Sequence, residues 1–256
     1  MTIDPAFLSL PLHEVAAAGL QAATEAGATR ADVRVERLRG QDISLRDGRL
    51  ESLGDDESVG VAVRVVHDGT WGFAAGCDVT VDEVVRLARQ AVDVARASRP
   101  LNSEPVELAD EPVHPAATWV SAYDVDPFSV DPIEKTSLLA GWSRRLLSSD
   151  EVDHVDASLQ QALEGKFYAD TAGTSTTQQR IRLQPQLTAT RVDPAGGFET
   201  MRTLAPPVAR GWEYLTGGWD WDAELEQIPS LLGEKAKASS VEQVATTWSS
   251  TRPTCG

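Results

Sequence analysis

Four histidines and two cysteines are the side chains best suited to hold a metal in this chain: His13, His67, His114, His154, Cys77 and Cys255. A catalytic zinc ion takes three protein ligands, and the helical form of the site supplies two histidines one turn apart. His13-Glu14 opens such a pattern, but no second histidine follows one turn later, so His13 reads as a solvated helix residue. His67 and Cys77 bracket a hairpin signal and offer only two ligands. They read as a turn residue and a small half-buried thiol. Neither Gly-x-Ser-x-Gly nor Gly-x-x-x-x-Gly-Lys-Ser/Thr occurs, so the sequence shows no nucleophile elbow and no phosphate cradle. Asp55-Asp56-Glu57 offers carboxylates to a cation; the preferred reading is a charged loop that keeps a sheet edge soluble. Trp212, Tyr214, Trp219 and Trp221 form either an aromatic ligand platform or, preferably, a plug between a sheet and the last helix. No catalytic, cofactor-binding or metal-ligating residue is assigned at any position.

The elements that would carry any site follow from hydrophobic periodicity. Leu12, Val15, Ala16, Leu20 and Ala23 recur at helical spacing. A helix is expected over 9–27, capped by Ser9, with Pro11 in its first turn and Gly27 at its end. The period then becomes two. Val33 and Val35, Ile43 and Leu45, and Val59, Val61, Val63 and Val65 alternate with polar residues. Asp47-Gly48 and Asp68-Gly69 are hairpin signals, so an antiparallel meander of about four or five strands is expected. Gly60 and Gly72 lie inside strand-like runs and mark a bulge or a close backbone approach.

Thr80 and Glu83 form a capping box for a helix over 81–97. Five prolines then texture an irregular connector. Asp131 and Pro132 start a helix that reaches about Leu147. Alternation returns over 152–193, with turns expected at 163–166, 171–173 and 193–197; Pro185 favours an edge or a bulge. A last helix is expected over 223–238, interrupted at Pro229. The fold class is α+β, antiparallel sheets packed with helices. Residues 1–98 form helix–meander–helix, 99–130 a proline-rich connector and 131–242 helix–sheet–helix. No repeat in the sequence is strong enough to claim a duplication.

Among the 256 residues, 41% are hydrophobic and 24% charged, which is ordinary globular usage. The formal net charge of −16 repels phosphate backbones and anionic headgroups, so no nucleic acid and no membrane partner is expected. Apolar runs are far shorter than the roughly 20 residues a membrane helix needs. The N-terminal stretch has no basic region and carries an early Pro5, unlike a signal peptide. The two cysteines give no disulfide framework, and a cytoplasmic location is expected.

Four segments in order resemble the N-terminal region of the TldD/PmbA family, also called the modulator of DNA gyrase family. They are DGRLESLGDDESVGVAVRVVHDGTWGFAAGCDVT, VRLARQAVDVARA, DPFSVDPIEKTSLL and GWEYL. The resemblance runs to about Glu242. It implies a two-domain metallopeptidase whose N-terminal α/β domain is present here. Zinc would be held in the C-terminal domain, on a His-Glu-x-x-x-His helix with a later cysteine. It further implies a heterodimer with a paralogous subunit, or a homodimer, that cleaves unfolded peptides held as an added strand. This sequence contains no His-Glu-x-x-x-His, so no zinc ligand or general base is carried over to any position. No cofactor is expected in this chain itself.

Residues 243–256, QVATTWSSTRPTCG, follow none of these patterns and read as an out-of-frame tail. One permitted codon choice, shifted by two bases, encodes Gly-Arg-Tyr-Asp-Leu-Val-Val-Asp-Pro-Thr-Asn-Leu-Trp, which is the strand the family resemblance calls for next. Cys255 would then be an accident of the wrong frame. The expected function is the non-catalytic N-terminal part of a TldD/PmbA-type zinc metallopeptidase whose catalytic domain is missing from this chain. The alternatives are a standalone peptide- or paralogue-binding module and a decayed, non-functional fragment.

Overall fold

The alternating stretches pair into one long sheet. The computed structural model describes residues 2–194 and 196–239. The expected tail at 243–256, with Cys255, lies outside them. The elements run α1 (Pro5–Leu8), α2 (Leu12–Glu25), β1 (Arg30–Arg46), β2 (Arg49–His67), β3 (Thr70–Gly76), α3 (Val81–Ser98), β4 (Ala117–Val120), α4 (Pro132–Leu147), β5 (His154–Asp170), β6 (Ser175–Asp193), β7 (Gly197–Arg202), α5 (Glu213–Thr216) and α6 (Trp221–Lys237). The strand order is β3-β2-β1-β5-β6-β4, with β7 also pairing β6. All pairs are antiparallel except β4 on β6, which is parallel. No described helix is long and apolar enough to cross a membrane.

Both helix pairs cover the same face. Val33 and Val35 of β1 pack under α2 and α3, together with Val61, Val63, Val65, Leu87 and Val92. Ile43 and Leu45 of β1 have the same parity, and they pack under α4 and α6 with Leu159, Leu183, Leu187 and Leu139. Successive strand residues point to opposite faces, so the face that carries the even-numbered residues of β1 and β2 and the odd-numbered residues of β3 is left open. Each buried aliphatic side chain contributes about 1.5–3 kcal/mol, so these two clusters dominate the fold's stability.

The structure contains a repeat that the sequence hides. β1 and β5 are both 17 residues long, and β2 and β6 are both 19. Their registers coincide when counted from the first residue of each leading strand. Arg30 faces Val66, and His154 faces Thr190. On the same count, Val59 opposite Arg37 corresponds to Leu183 opposite Gln161.

Several expected boundaries move. Ser9 does not cap the long first helix. It ends α1, which Asp4 caps, and Pro11 stands at the N-cap of α2. The meander has three strands rather than four or five, because β1 and β2 run unbroken through Gly40 and Gly54. Residues 163–166 are not a turn but the middle of β5. Gly165 is small there because Phe7 of α1 lies on it; an added Cβ would meet the ring at 2.9 Å. The connector contributes β4 and two 3₁₀ turns, Arg99–Leu101 and Pro127–Ser129.

Pro229 sits inside α6 without ending it. Pro185 causes no bulge, and β5–β6 pairing passes straight through Leu159↔Pro185. The N–H groups of Leu183 and Leu187 point away from β5, to Val208 O and Thr203 Oγ1. Pro185 has the same parity and falls in the gap between β4 and β7, where no ladder needs its missing donor. The two hairpin signals form as expected: Asp47 and Gly48 have φ of 51° and 74°, and Asp68 and Gly69 48° and 65°.

Candidate functional site

The acidic run is a strand, not a loop. Asp55 and Glu57 lie in β2 and face Gln41 and Arg39 of β1. The Arg39 guanidinium grips Asp55 through two hydrogen bonds of 3.0 and 2.7 Å. Arg37 grips Glu57 in the same way at 2.8 and 2.7 Å, and also pairs with Asp4. These partners hold Asp55 and Glu57 below the usual carboxylate range. Pairs this exposed contribute about 0.2–1 kcal/mol each. Their chief effect is to keep an acid- and glycine-rich segment extended.

That segment ends as an open edge. β3 pairs only with Val61–His67, so no described strand covers the outer side of β2 over 49–60. The direction of its main-chain groups follows from register. Thr171 N–H donates to Ala31 O on the β5 side, so odd-numbered groups of β1 face β5 and even-numbered groups face β2. The β2 groups facing β1 are therefore even-numbered. Those of Asp55, Glu57 and Val59 point outward.

Beside this edge, on the open face, lies a hollow of about 390 Å³. Its floor is Gly60, Ala62 and Ala75, and Arg34, Glu36, Leu38 and Phe73 rise around it. Phe73 is 58% exposed. Arg34 stands over the Tyr168 ring at 5.9 Å.

The opposite face carries a buried polar seam between the two apolar clusters. Lys135 of α4 is 0% exposed and donates to Gln41 Oε1 at 2.6 Å. Gln161 Nε2 donates to the same oxygen at 2.6 Å, and Gln41 Nε2 donates to Asp55 at 3.1 Å. Gln161 Oε1 is buried without a partner. Burial, and then the nearby Arg39 charge, lower the Lys135 ammonium to about 8.

The candidate ligands are scattered. His13 is exposed and edge-on to Phe167 at 4.9 Å. His67 Nδ1 bonds Gly27 O at 2.7 Å, and His154 Nδ1 lies 3.0 Å from Asp47 Oδ2. His114 is exposed, and its carbonyl accepts from Ser175 N–H. Cys77 is exposed rather than half-buried, because β3 ends one residue earlier. Among the described residues, no three His, Cys, Asp or Glu side chains converge as a metal would need. These residues do not fit a zinc ion.

The aromatic group divides. Trp212, Tyr214 and Trp221 are buried in the α4/α6 cluster, with Trp142 stacked on Trp221 at 4.4 Å. They plug the junction as the sequence implies. Trp219 instead lines two surface hollows. Arg34, Lys135, Gln41 and Gln161 carried no expectation from the sequence. A signal existed for three of them: Gln41 and Gln161 interrupt apolar strand rows, and Lys135 lies one turn before Leu139 on the buried stripe of α4.

Residues 31–95 match the family described as PmbA/TldA metallopeptidase domain 1. Those residues span β1 to α3, including the open edge and its hollow. Over that span the chain is similar to the first domain of this family. A metalloprotease of Methanocaldococcus jannaschii is 31% identical over 144 residues, 56% of this chain and 32% of its own length. A metalloprotease of Synechocystis is 26% identical over 167 residues, 64% of this chain and 35% of its own. The chain thus matches about a third of the length of these curated relatives.

Solved structures share the TldD/PmbA fold at low identity. A protein described as a modulator of DNA gyrase from Bacteroides thetaiotaomicron superposes with a TM-score of 0.61 at 13% identity, covering 84% of this chain and 49% of that one. One from Thermotoga maritima gives 0.61 at 13%, covering 83% and 45%. TldE from Thermococcus kodakarensis gives 0.54 at 14%, covering 84% and 46%.

Proposed function

We propose that these residues are the peptide-docking, non-catalytic part of a TldD/PmbA-type zinc metallopeptidase, and that an extended peptide adds to β2 as a further strand. The metal ligands of such an enzyme would come from outside the described residues. Pairing with a paralogous or identical subunit belongs to the same proposal.

One observation carries it. In the second half of the sheet, Leu183 exchanges two 2.9 Å main-chain hydrogen bonds with Val208, a residue of an extended segment lying along β6. Val59 occupies the corresponding position in β2, and no described residue pairs with its outward groups. The fold therefore already accepts an extended segment at one of two equivalent places. Strand addition gives main-chain affinity without requiring a defined sequence, which suits unfolded substrates.

Proline distinguishes the two sides of β2. Val59→Pro removes an outward donor and spares the β1 ladder, so the chain should stay folded. Binding of a short fluorescein-labelled peptide of alternating valine and threonine, read by anisotropy, is expected to weaken about tenfold. Ser58→Pro removes a donor that faces β1 and should cost about 1–3 kcal/mol of stability in a urea titration. Unchanged peptide affinity in folded Val59→Pro would refute docking at this edge.

A further inference from the structure

We infer that the hollow beside the β2 edge selects an acidic side chain of the docked peptide, held by Arg34. This rests on the strand-addition proposal and adds a substrate preference to it.

Arg34 differs from the other arginines of β1. Arg30 pairs with Asp170, Arg37 with Glu57 and Asp4, Arg39 with Asp55, and Arg46 with Asp156. Arg34 makes no ion pair among the described residues, and its Nε is buried without a hydrogen-bond partner. The nearby carboxylates are already engaged. Asp32 pairs with Arg64 at 2.8 Å, Asp170 with Arg30 at 3.1 Å, and Glu36 with Lys166 at 3.0 Å. A guanidinium without an ion pair keeps its capacity for a paired contact, and a carboxylate is its best geometric match.

Reach agrees with this. Arg34 faces Ala62 across the ladder, and Ala62 faces Ala75. Glu36 faces Gly60, the last β2 residue before β3 begins its pairing. Gly60, Ala62 and Ala75 are small and leave space between Arg34 and the edge, and the Glu36 carboxylate that also lines it is paired with Lys166. A strand on that edge, in line with β3, alternates its side chains between the two faces. One on the open face beside Gly60 would lie across the hollow from Arg34. The rest of the protein opposes the preference, since its formal net charge of −16 repels acidic peptides in general. A preference for acid would therefore be local in origin.

The test uses the whole chain and three terminally blocked, labelled valine–threonine peptides with a single central glutamate, glutamine or lysine. A fourth carries the glutamine and a free terminal carboxylate. The glutamate peptide is expected to bind about tenfold tighter than the glutamine one, and the lysine peptide no tighter than glutamine. Arg34→Gln should abolish that difference. Equal affinity for glutamate and glutamine, with both lost in Val59→Pro, would overturn the role of Arg34 and keep the edge. A preference that survives Arg34→Gln, or one that appears only with the free terminus, would overturn it as well. Failure of every peptide to bind would overturn both proposals.

Discussion

Replacing Gly72 by alanine is expected to cost on the order of 3 kcal/mol, at the upper end of what overpacking a core produces. Gly72 lies in β3 directly beneath α3. A Cβ built there would stand 1.9 Å from Ala91 O and 2.9 Å from Ala95 N. Both obstacles are backbone, so no rotamer change relieves the clash. Either α3 lifts or β3 bends away from it. Lifting α3 loosens Leu87, Val92 and Ala95, all fully buried, and dispersion contacts fall steeply with small gaps. Gly40→Ala is the control, because an added Cβ there meets nothing within 4 Å. It should be neutral or slightly stabilising, since a mid-strand glycine carries an entropic cost. Urea titrations of the two variants would decide; equal stabilities would show that α3 does not ride on Gly72.

The same glycine shows how far the sequence was readable. A lone glycine in an apolar alternation implied a bulge or a close approach, and at Gly72 it is the close approach, to α3. Asp47-Gly48 and Asp68-Gly69 implied positive φ and have it. Thr80 and Asp131 implied caps, and each accepts from the helix it starts, from Glu83 N–H at 3.3 Å and Ile133 N–H at 2.8 Å. These signals are local: the backbone conformation or first hydrogen bond is fixed by the residue itself.

What stayed hidden was set across the sheet. Gly165 resembles a turn until Phe7, far away in sequence, is placed on it. Asp55 and Glu57 resemble a loop until Arg39 and Arg37 grip them diagonally from the neighbouring strand. The repeat was invisible because it lives in strand length and register, while Val59 and Leu183 share only their position. The open edge was partly foreseeable from its glycines. Arg34 was not, because its distinction is the partner it fails to find, and that is known only once every neighbour is paired.

Lys135→Met is expected to stabilise the protein at pH 7 by about 2 kcal/mol, and that gain should shrink as pH rises. The wild-type ammonium titrates near 8 instead of 10.5, chiefly because burial strips its water and secondarily because Arg39 repels it. A depression of that size corresponds to on the order of 3 kcal/mol against the charged form. Below pH 8 both folded and unfolded chains hold the proton, so the penalty is fully present and constant. Between pH 8 and 10.5 the unfolded chain binds more protons than the folded one, so wild-type stability rises with pH. Methionine has no proton to lose and should lack that rise.

The substitution strands no partner. Gln41 Oε1 keeps the Gln161 donor, and Asp55 keeps Arg39 and Gln41. Met would also lay an apolar side chain along the seam that divides the α2/α3 cluster from the α4/α6 cluster, where removing a buried charge is commonly favourable. Urea titrations at pH 7 and 9.5 suffice; that range stays below the tyrosines Tyr168 and Tyr214, both pushed up to about 12. A variant less stable than wild type at pH 7 would mean that Lys135 contributes more through Gln41 and the Phe128 ring, 5.9 Å from its Nζ, than its desolvation costs. A stability difference that does not change with pH would mean that the buried amine does not titrate in this window.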